Sequence, residues 1–246
     1  MNPDIDIYLD GAAQGPWMGH YLGQLGCIWL AESRQAAVER APEAIAGYLD
    51  WLWRHGEADV AGTAVGGLSV RVAGEQMVPG FGQSGAAVGL FEPDHRAVTD
   101  ETMATAVRRL GYARREVLET VLGLDPAALD LRAEGKRSVR ENLEHIANAQ
   151  GFYLTRVLGW ARTAELLPEP WPDDDPFERL RWVLAQATKA LLELPPELRE
   201  GSFPAERPRE TWTPRKMLRR FVEHELEHLG VLRRTVEHAR AYVGDR

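Results

Sequence analysis

Beyond residue 98 the hydrophobic residues change their period, and this change limits the fold more than any other feature of the chain. Apolar residues then recur every three or four positions in four successive segments, the repeat of an amphipathic helix. Each segment carries its own start signal. Thr99 is placed as an N-cap ahead of Asp100 and Glu101, whose charge suits the positive helix end, and the stripe runs through Met103, Val107, Leu110, Val117 and Val121. Ser138 and Glu141 form a capping box for a second helix that reaches Gly159. Asp175, Pro176 and Glu178 supply cap, first-turn proline and acid for a third, which ends at Pro195. Thr213 and Pro214 open a fourth that runs to Tyr242. The stretches "LPEPWPDDDP" and "PPELREGSFPAERPRE" are expected to be loops. Four such helices predict an all-α, up-down four-helix bundle.

The preceding residues read differently. "IDIYL" is β-branched and aromatic, "GAAQGP" is a turn, and "WMGHYLGQLGCIWLAE" holds two short extended runs around Gly26. "SRQAAVERAPEAIAGYLDWLWRHG" has helical spacing and stops at Gly56. A glycine-rich stretch follows, with strand-like "LSVRV" and "AAVGLFEP". The expected class is therefore α+β, with a small sheet-plus-helix domain over residues 1–98 and the bundle over 99–246.

The chain has 246 residues and a net charge of −8 at pH 7, so neither nucleic acid nor an anionic membrane is an expected partner. The basic stretch "RPRETWTPRKMLRR" reads as a solvated helix edge. Cys27 is the single cysteine, which excludes an intramolecular disulfide and a Cys-rich zinc site and fits a reducing compartment. "MNPDIDIYLDG" lacks the basic and apolar regions of a signal peptide, and no segment has the roughly 18 apolar residues that span a bilayer. The expected location is the cytoplasm.

The chemistry-bearing motif lies in the last helix. "FVEHELEHLGVLRR" contains His224, Glu225 and His228, the letters H-E-x-x-H of zinc metalloproteases. On a helix His228 falls about 40° from His224. Both lie on one flank of the apolar face, near Met217, Phe221 and Leu232, while Arg219, Glu223, Arg233 and Arg234 point away. His145 is carried inward by the second helix, on the face of Ile146, Ala149, Phe152 and Tyr153. A lone inward histidine is most often a satisfied core residue. Three from two helices of one bundle are costly to bury without partners, and one divalent ion would satisfy all of them. His238 is about 15 Å along the axis from His228, too far for the same ion. His20, His55 and His95 receive no role.

The protease reading fails on its surroundings. The extended metalloprotease pattern needs a glycine and a further histidine where this chain has Val231 and Arg234. Glu225 projects among Leu218, Leu229 and Leu232, away from the histidine flank, as a buried acid rather than a general base. "GFGQSG" matches a dinucleotide-loop pattern, but a strand-like run follows it where that site needs a helix. Cys27 reads as a small buried residue.

Residues from about 99 to 240 resemble the DinB-like bundles, through "RSVRENLEHIANAQGFYLTRVLG" and "TWTPRKMLRRFVEHELEHLGVLRR". The resemblance implies a divalent metal held by one histidine of the second helix and an H-x-x-x-H pair of the fourth, here His145, His224 and His228. Zinc or nickel suits imidazole ligands, and manganese or iron is allowed. It also implies metal-assisted group transfer or hydrolysis on a small molecule, with a low-molecular-weight-thiol-dependent S-transferase as the particular form. The first half, residues 1 to about 60, is similar to HicB-like antitoxin domains through "IDIYL", "GHYLGQLGC" and "ESRQAAVERAPEAIAGYL". The usual Leu-Pro-Gly-Cys is here Gln24-Leu25-Gly26-Cys27, and no DNA-binding segment follows. That domain is expected to bind a partner, shape the bundle's pocket or mediate dimerisation. The alternative for the whole chain is a non-catalytic binding module with a HicB-like protein-partner domain and a structural or metal-binding bundle.

Overall fold

Strand β1 (Ile5–Gly11) occupies an inner position of a four-stranded sheet because it pairs on both edges: antiparallel with β2 (Trp17–His20) and parallel with β4 (Val70–Met77). The sheet order is β3-β2-β1-β4, with β3 (Ile28–Ala31) on the outer edge of β2. A parallel β1–β4 pair needs a crossover, and helix α1 (Arg34–Arg54) lies in that connection. A computed structural model describes residues 5–57, 68–78, 88–167, 175–206 and 209–244.

Local chemistry sets these boundaries. Ser33 caps α1 by accepting the Ala36 N–H, and the helix buries Ala37, Ala41, Ile45, Leu49 and Leu52. The Trp29 indole donates to the Ala37 carbonyl (2.7 Å), and the Tyr48 hydroxyl to that of Leu25 (2.5 Å), joining α1 to β3 and its preceding turn. In the sheet, the His20 ring nitrogen Nε2 lies 2.9 Å from Asp10 Oδ1, and both side chains are fully buried. The other Asp10 oxygen accepts the Gly89 N–H, which fixes the chain after β4 against β1. The described part of "AAVGLFEP" is thus not a strand. Residues 88–91 are irregular, Glu92–His95 form a 3-10 turn, and Asp94 closes that turn on the Phe91 N–H. "GFGQSG" lies outside the described residues.

The four long helices form where their caps place them. They are α2 (Asp100–Val121), α3 (Val139–Leu158), α5 (Pro176–Leu192) and α6 (Pro214–Gly244), with a short α4 (Trp160–Leu166) that periodicity did not mark. Thr99, the Ser138–Glu141 capping box and Asp175 all make their expected cap bonds. Gly159 ends α3 at φ 80°, a backbone conformation that favours glycine.

The up-down order needs one refinement. Arg114, Glu116 and Thr120 of α2 meet Glu225, Arg233 and Arg240 of α6 in rising order, so these helices run parallel. On α3, His145 meets His224, whereas Tyr153 meets Arg220 and Phe221, so α3 is antiparallel to α6. First and last helices that point the same way cannot belong to a strictly alternating bundle. The seventeen residues between α3 and α5, α4 among them, give the chain length to run back before α5 begins.

By compactness the described chain divides into Met1–Ala97 with Gly201–Lys216, and Val98–Glu200 with Met217–Arg246. The stretch expected as a loop before α6 is a hairpin of β5 (Phe203–Glu206) and β6 (Arg209–Trp212), and it groups with the first unit. The basic stretch is not a solvated edge. Lys216, Arg219 and Arg220 are all buried. Lys216 donates to Glu210 (3.1 Å) and the Thr211 carbonyl (3.2 Å) and sits 4.5 Å above the Trp212 ring. Sequence shows that stretch's charge but not the acids that fold back on it.

In β2 a Cβ at Gly19 would fall 2.1 Å from Trp29 Cε2. Gly19→Ala is expected to force the indole off its bond to Ala37 and to destabilise the first unit by about 1–3 kcal/mol, read as a lowered unfolding midpoint.

Candidate metal centre

The site lies within the second unit and is built from two facing helices. The capping box fixes where α3 begins, and His145 follows two turns later on the side facing α6. His224 and His228 are one turn apart on α6. The three ring centroids lie 4.3–5.0 Å apart, with His224 and His228 buried and His145 half-buried. One ring nitrogen of each can be chosen so that all three lie within 4.8 Å of one another. His224 Nε2 and His145 Nε2 are 3.2 Å apart. His228 Nδ1 is buried and has no hydrogen-bond partner. Among the described residues this is the one group of three or more His, Cys, Asp or Glu placed to share an ion.

Electrostatics keep these rings neutral. Burial, then the nearby Arg137 charge, pushes the His145 pKa down to about 4. Burial pushes His228 to about 3, with His145, Arg137 and Arg220 adding to the effect. His224 lies well below its usual value, first through burial and then through His228 and Arg220. At neutral pH each ring therefore offers a lone pair, the form in which histidine binds a metal.

Glu225 belongs to a different construction. It is buried and faces α2, where Arg114 grips both carboxylate oxygens, Nε on Oε1 and Nη2 on Oε2 at 2.9 Å. Gln150 of α3 donates to Oε2 (3.3 Å), and Arg114 Nη1 donates to the Leu180 carbonyl of α5 (2.7 Å). One ion pair thus joins all four long helices. A carboxylate held on both oxygens by a guanidinium is not a free general base, which agrees with its expected direction away from the histidines.

A further network departs from expectation. Helical spacing predicts Arg219 and Glu223 on the outer side of α6, but both are buried, whereas Arg233 and Arg234 are exposed as that spacing predicts. Glu223 accepts from Arg219 (2.9 and 3.0 Å) and from Arg220 (3.0 Å). Arg220 also donates to the Tyr153 hydroxyl (3.4 Å), and the Tyr153 ring stands edge-on to His224 at 5.7 Å. Tyr153 is buried and its pKa is raised by that burial, so it backs the site as a neutral phenol. Sequence reasoning missed Arg114 and Gln150. The available signal was a pair of opposite charges, Arg114 and Glu225, each lying on the apolar stripe of its own helix. His238 is exposed, and His20, His55 and His95 belong to the first unit.

A helical bundle with a three-histidine cluster between two of its long helices is the class that fold and site define. The model of the DinB superfamily matches residues 109–232, just over half of the chain, and the chain belongs to that superfamily. Among solved structures the chain is similar to YfiT from Bacillus subtilis, described as a probable metal-dependent hydrolase with an unusual four-helix bundle topology. The identity is 17%, 64% of this chain and 95% of that one are covered, and the TM-score is 0.43. No curated protein matches the chain in sequence.

Arg114→Met is expected to leave Glu225 buried without its cation and to cost about 3–5 kcal/mol of stability, measured by denaturant unfolding. The double variant Arg114→Met/Glu225→Leu should regain most of that loss. If the double variant is as unstable as the single one, uncompensated charge is not the cause.

Proposed function

We propose that this chain is a divalent-metal-dependent enzyme whose ion is held by His145, His224 and His228. The observation that carries the proposal is the convergence of three neutral imidazoles from two helices. Two imidazoles on one tetrahedral ion at about 2.0–2.1 Å would hold their nitrogens about 3.3 Å apart, close to the 3.2 Å between the His145 and His224 Nε2 atoms. The unpartnered, buried Nδ1 of His228 points to the same need, since a buried polar atom without a partner is costly. Zinc or nickel suits such a donor set, with manganese or iron also within its range.

Three protein ligands leave a coordination position open, as catalytic sites require. When bound, the ion would supply Lewis acidity and hold a coordinated thiol as its thiolate near neutral pH. The chain's own residues do the rest. Arg220, fixed by Glu223 and Tyr153, keeps the phenol ring against His224. The buried Arg114–Glu225 pair holds α6 in register with α2 and so aims His224 and His228 at α3. The reaction class is group transfer or hydrolysis on a small molecule, and the particular form we favour is a low-molecular-weight-thiol-dependent S-transferase. For the first unit, the order of strand, hairpin, strand and helix supports a HicB-like, partner-binding role.

Elemental analysis of untagged protein purified without chelator is the direct test, on wild type and on His145→Ala. About one metal per chain in the wild type, lost in the variant, is expected. A chelator should lower the wild-type melting temperature and leave that of the variant unchanged. Wild-type protein that takes up no zinc or nickel on reconstitution would remove this reading.

A further inference from the structure

Strand β4 ends the sheet order β3-β2-β1-β4, so among the described residues no strand pairs with its outer edge. Proteins blunt such an edge with lysine, proline or a covering element. Residues 73–77 of β4 read Ala-Gly-Glu-Gln-Met, whose single charge is an acid, and Met77 is 50% exposed. Leu90 comes close, but its N–H donates to the Gln76 side chain (2.8 Å) and not to the strand's backbone. A cavity of about 560 Å³ inside the first unit is lined by all five residues 73–77. Successive side chains of a strand point to opposite faces, so a cavity that touches five in a row runs along the strand's edge. Glu210 and Thr211 of β6 also line it, and β6 pairs with β5 alone among the described residues.

One residue of a paired strand takes up roughly 160 Å³, from a rise of about 3.3 Å, a strand spacing of about 4.8 Å and a layer of about 10 Å. The cavity therefore has room for about three to four residues of extended chain. Its lining holds three carboxylates, Glu75, Glu92 and Glu210, and one cation, Lys216. Lys216 and Glu210 pair at 3.1 Å and cancel. Arg34 and Arg96, which meet the other two acids, lie outside the lining, and Glu92 is 78% exposed with Arg96 at 3.7 Å. The Tyr8 and Phe91 rings, 5.2 Å apart, supply the aromatic part of the lining. The Tyr8 pKa is raised by burial and then by Asp6 and Glu92, the sign of a negative field at that ring. The first unit as a whole has fourteen Asp and Glu against nine Lys and Arg. Such a slot suits an extended chain whose cationic side chain lays its stem on the rings.

We propose that the first unit binds a basic, extended peptide segment of a partner protein, which adds to β4 as a strand and places a Lys or Arg side chain over Tyr8 beside Glu92. The inference rests on the partner-binding role given to this unit above, adds the docking strand and the partner's chemistry, and does not depend on the metal centre.

The test is isothermal titration of the full-length protein with acetylated, amidated pentapeptides. Val-Lys-Val-Lys-Val is expected to bind about tenfold more tightly than Val-Glu-Val-Glu-Val, and the difference should shrink as salt is raised. N-methylation of the valines or of the lysines removes the main-chain donors of one edge or the other, and one of the two changes should lower affinity about tenfold. Glu92→Lys, at an exposed position, should weaken binding of the basic peptide about fivefold. Backbone amides of residues 73–77 should exchange more slowly with the peptide bound. Equal affinity for the acidic isomer, or unchanged affinity in Glu92→Lys, would overturn the inference while leaving a partner-binding unit standing. Undiminished binding of both N-methylated peptides, or equal binding of butylammonium, would overturn strand addition and leave a site for an isolated cation. Binding of neither pentapeptide at millimolar concentration would overturn this inference and the partner-binding reading together.

Discussion

The buried pair between Arg114 and Glu225 is the constraint on which the bundle turns. Both side chains are out of contact with water, so neither charge can be left alone. Arg114 meets the need by binding both carboxylate oxygens with one part of its fork and an α5 carbonyl with another, while Gln150 reaches in from α3. An apolar core of the same volume could be equally stable, but it would tolerate sliding. A bidentate pair does not. It fixes the register of α6 against α2, and α6 carries two of the three site histidines.

The H-E-x-x-H letters therefore serve two purposes on neighbouring flanks of one helix. The histidines, four residues apart, share the flank that faces α3. Glu225, about 100° round from His224, faces α2. In a metalloprotease these letters put the acid beside the ion. Here the parallel course of α2 and α6 brings Arg114 to Glu225 and takes the acid out of the chemistry. The same motif can belong to different reactions because its meaning depends on which helix faces each flank.

Charge at the site is arranged in layers. The imidazoles are neutral because burial and surrounding cations depress their pKa values. Behind them the buried Arg219, Arg220 and Glu223, with the part-buried Glu227 at 3.7 Å from Arg220, balance in sign, and Tyr153 is the group's contact to His224. No helix in the described residues is long and apolar enough to cross a membrane.

Sequence alone determined the elements and the candidate ligands. Caps and periodicity act within one turn, so Thr99, Ser138 with Glu141, and Asp175 marked the starts of α2, α3 and α5, and the stripe on α6 put His224 and His228 on one flank. The inward direction of His145 could be read for the same local reason. Only the tertiary structure decided what lies across from each face. It made Arg219 and Glu223 a buried pair, because nothing local says which side of a helix will be covered. It turned the stretch before α6 into the β5–β6 hairpin, whose prolines had suggested a loop, because cross-strand pairing is a contact between residues and not a property of either. It set α2 parallel to α6, because a connection of seventeen residues permits either direction for α5. It brought Arg114 to Glu225, 111 residues away in the chain, because a charge on an apolar stripe states a need and only the folded neighbour supplies the answer.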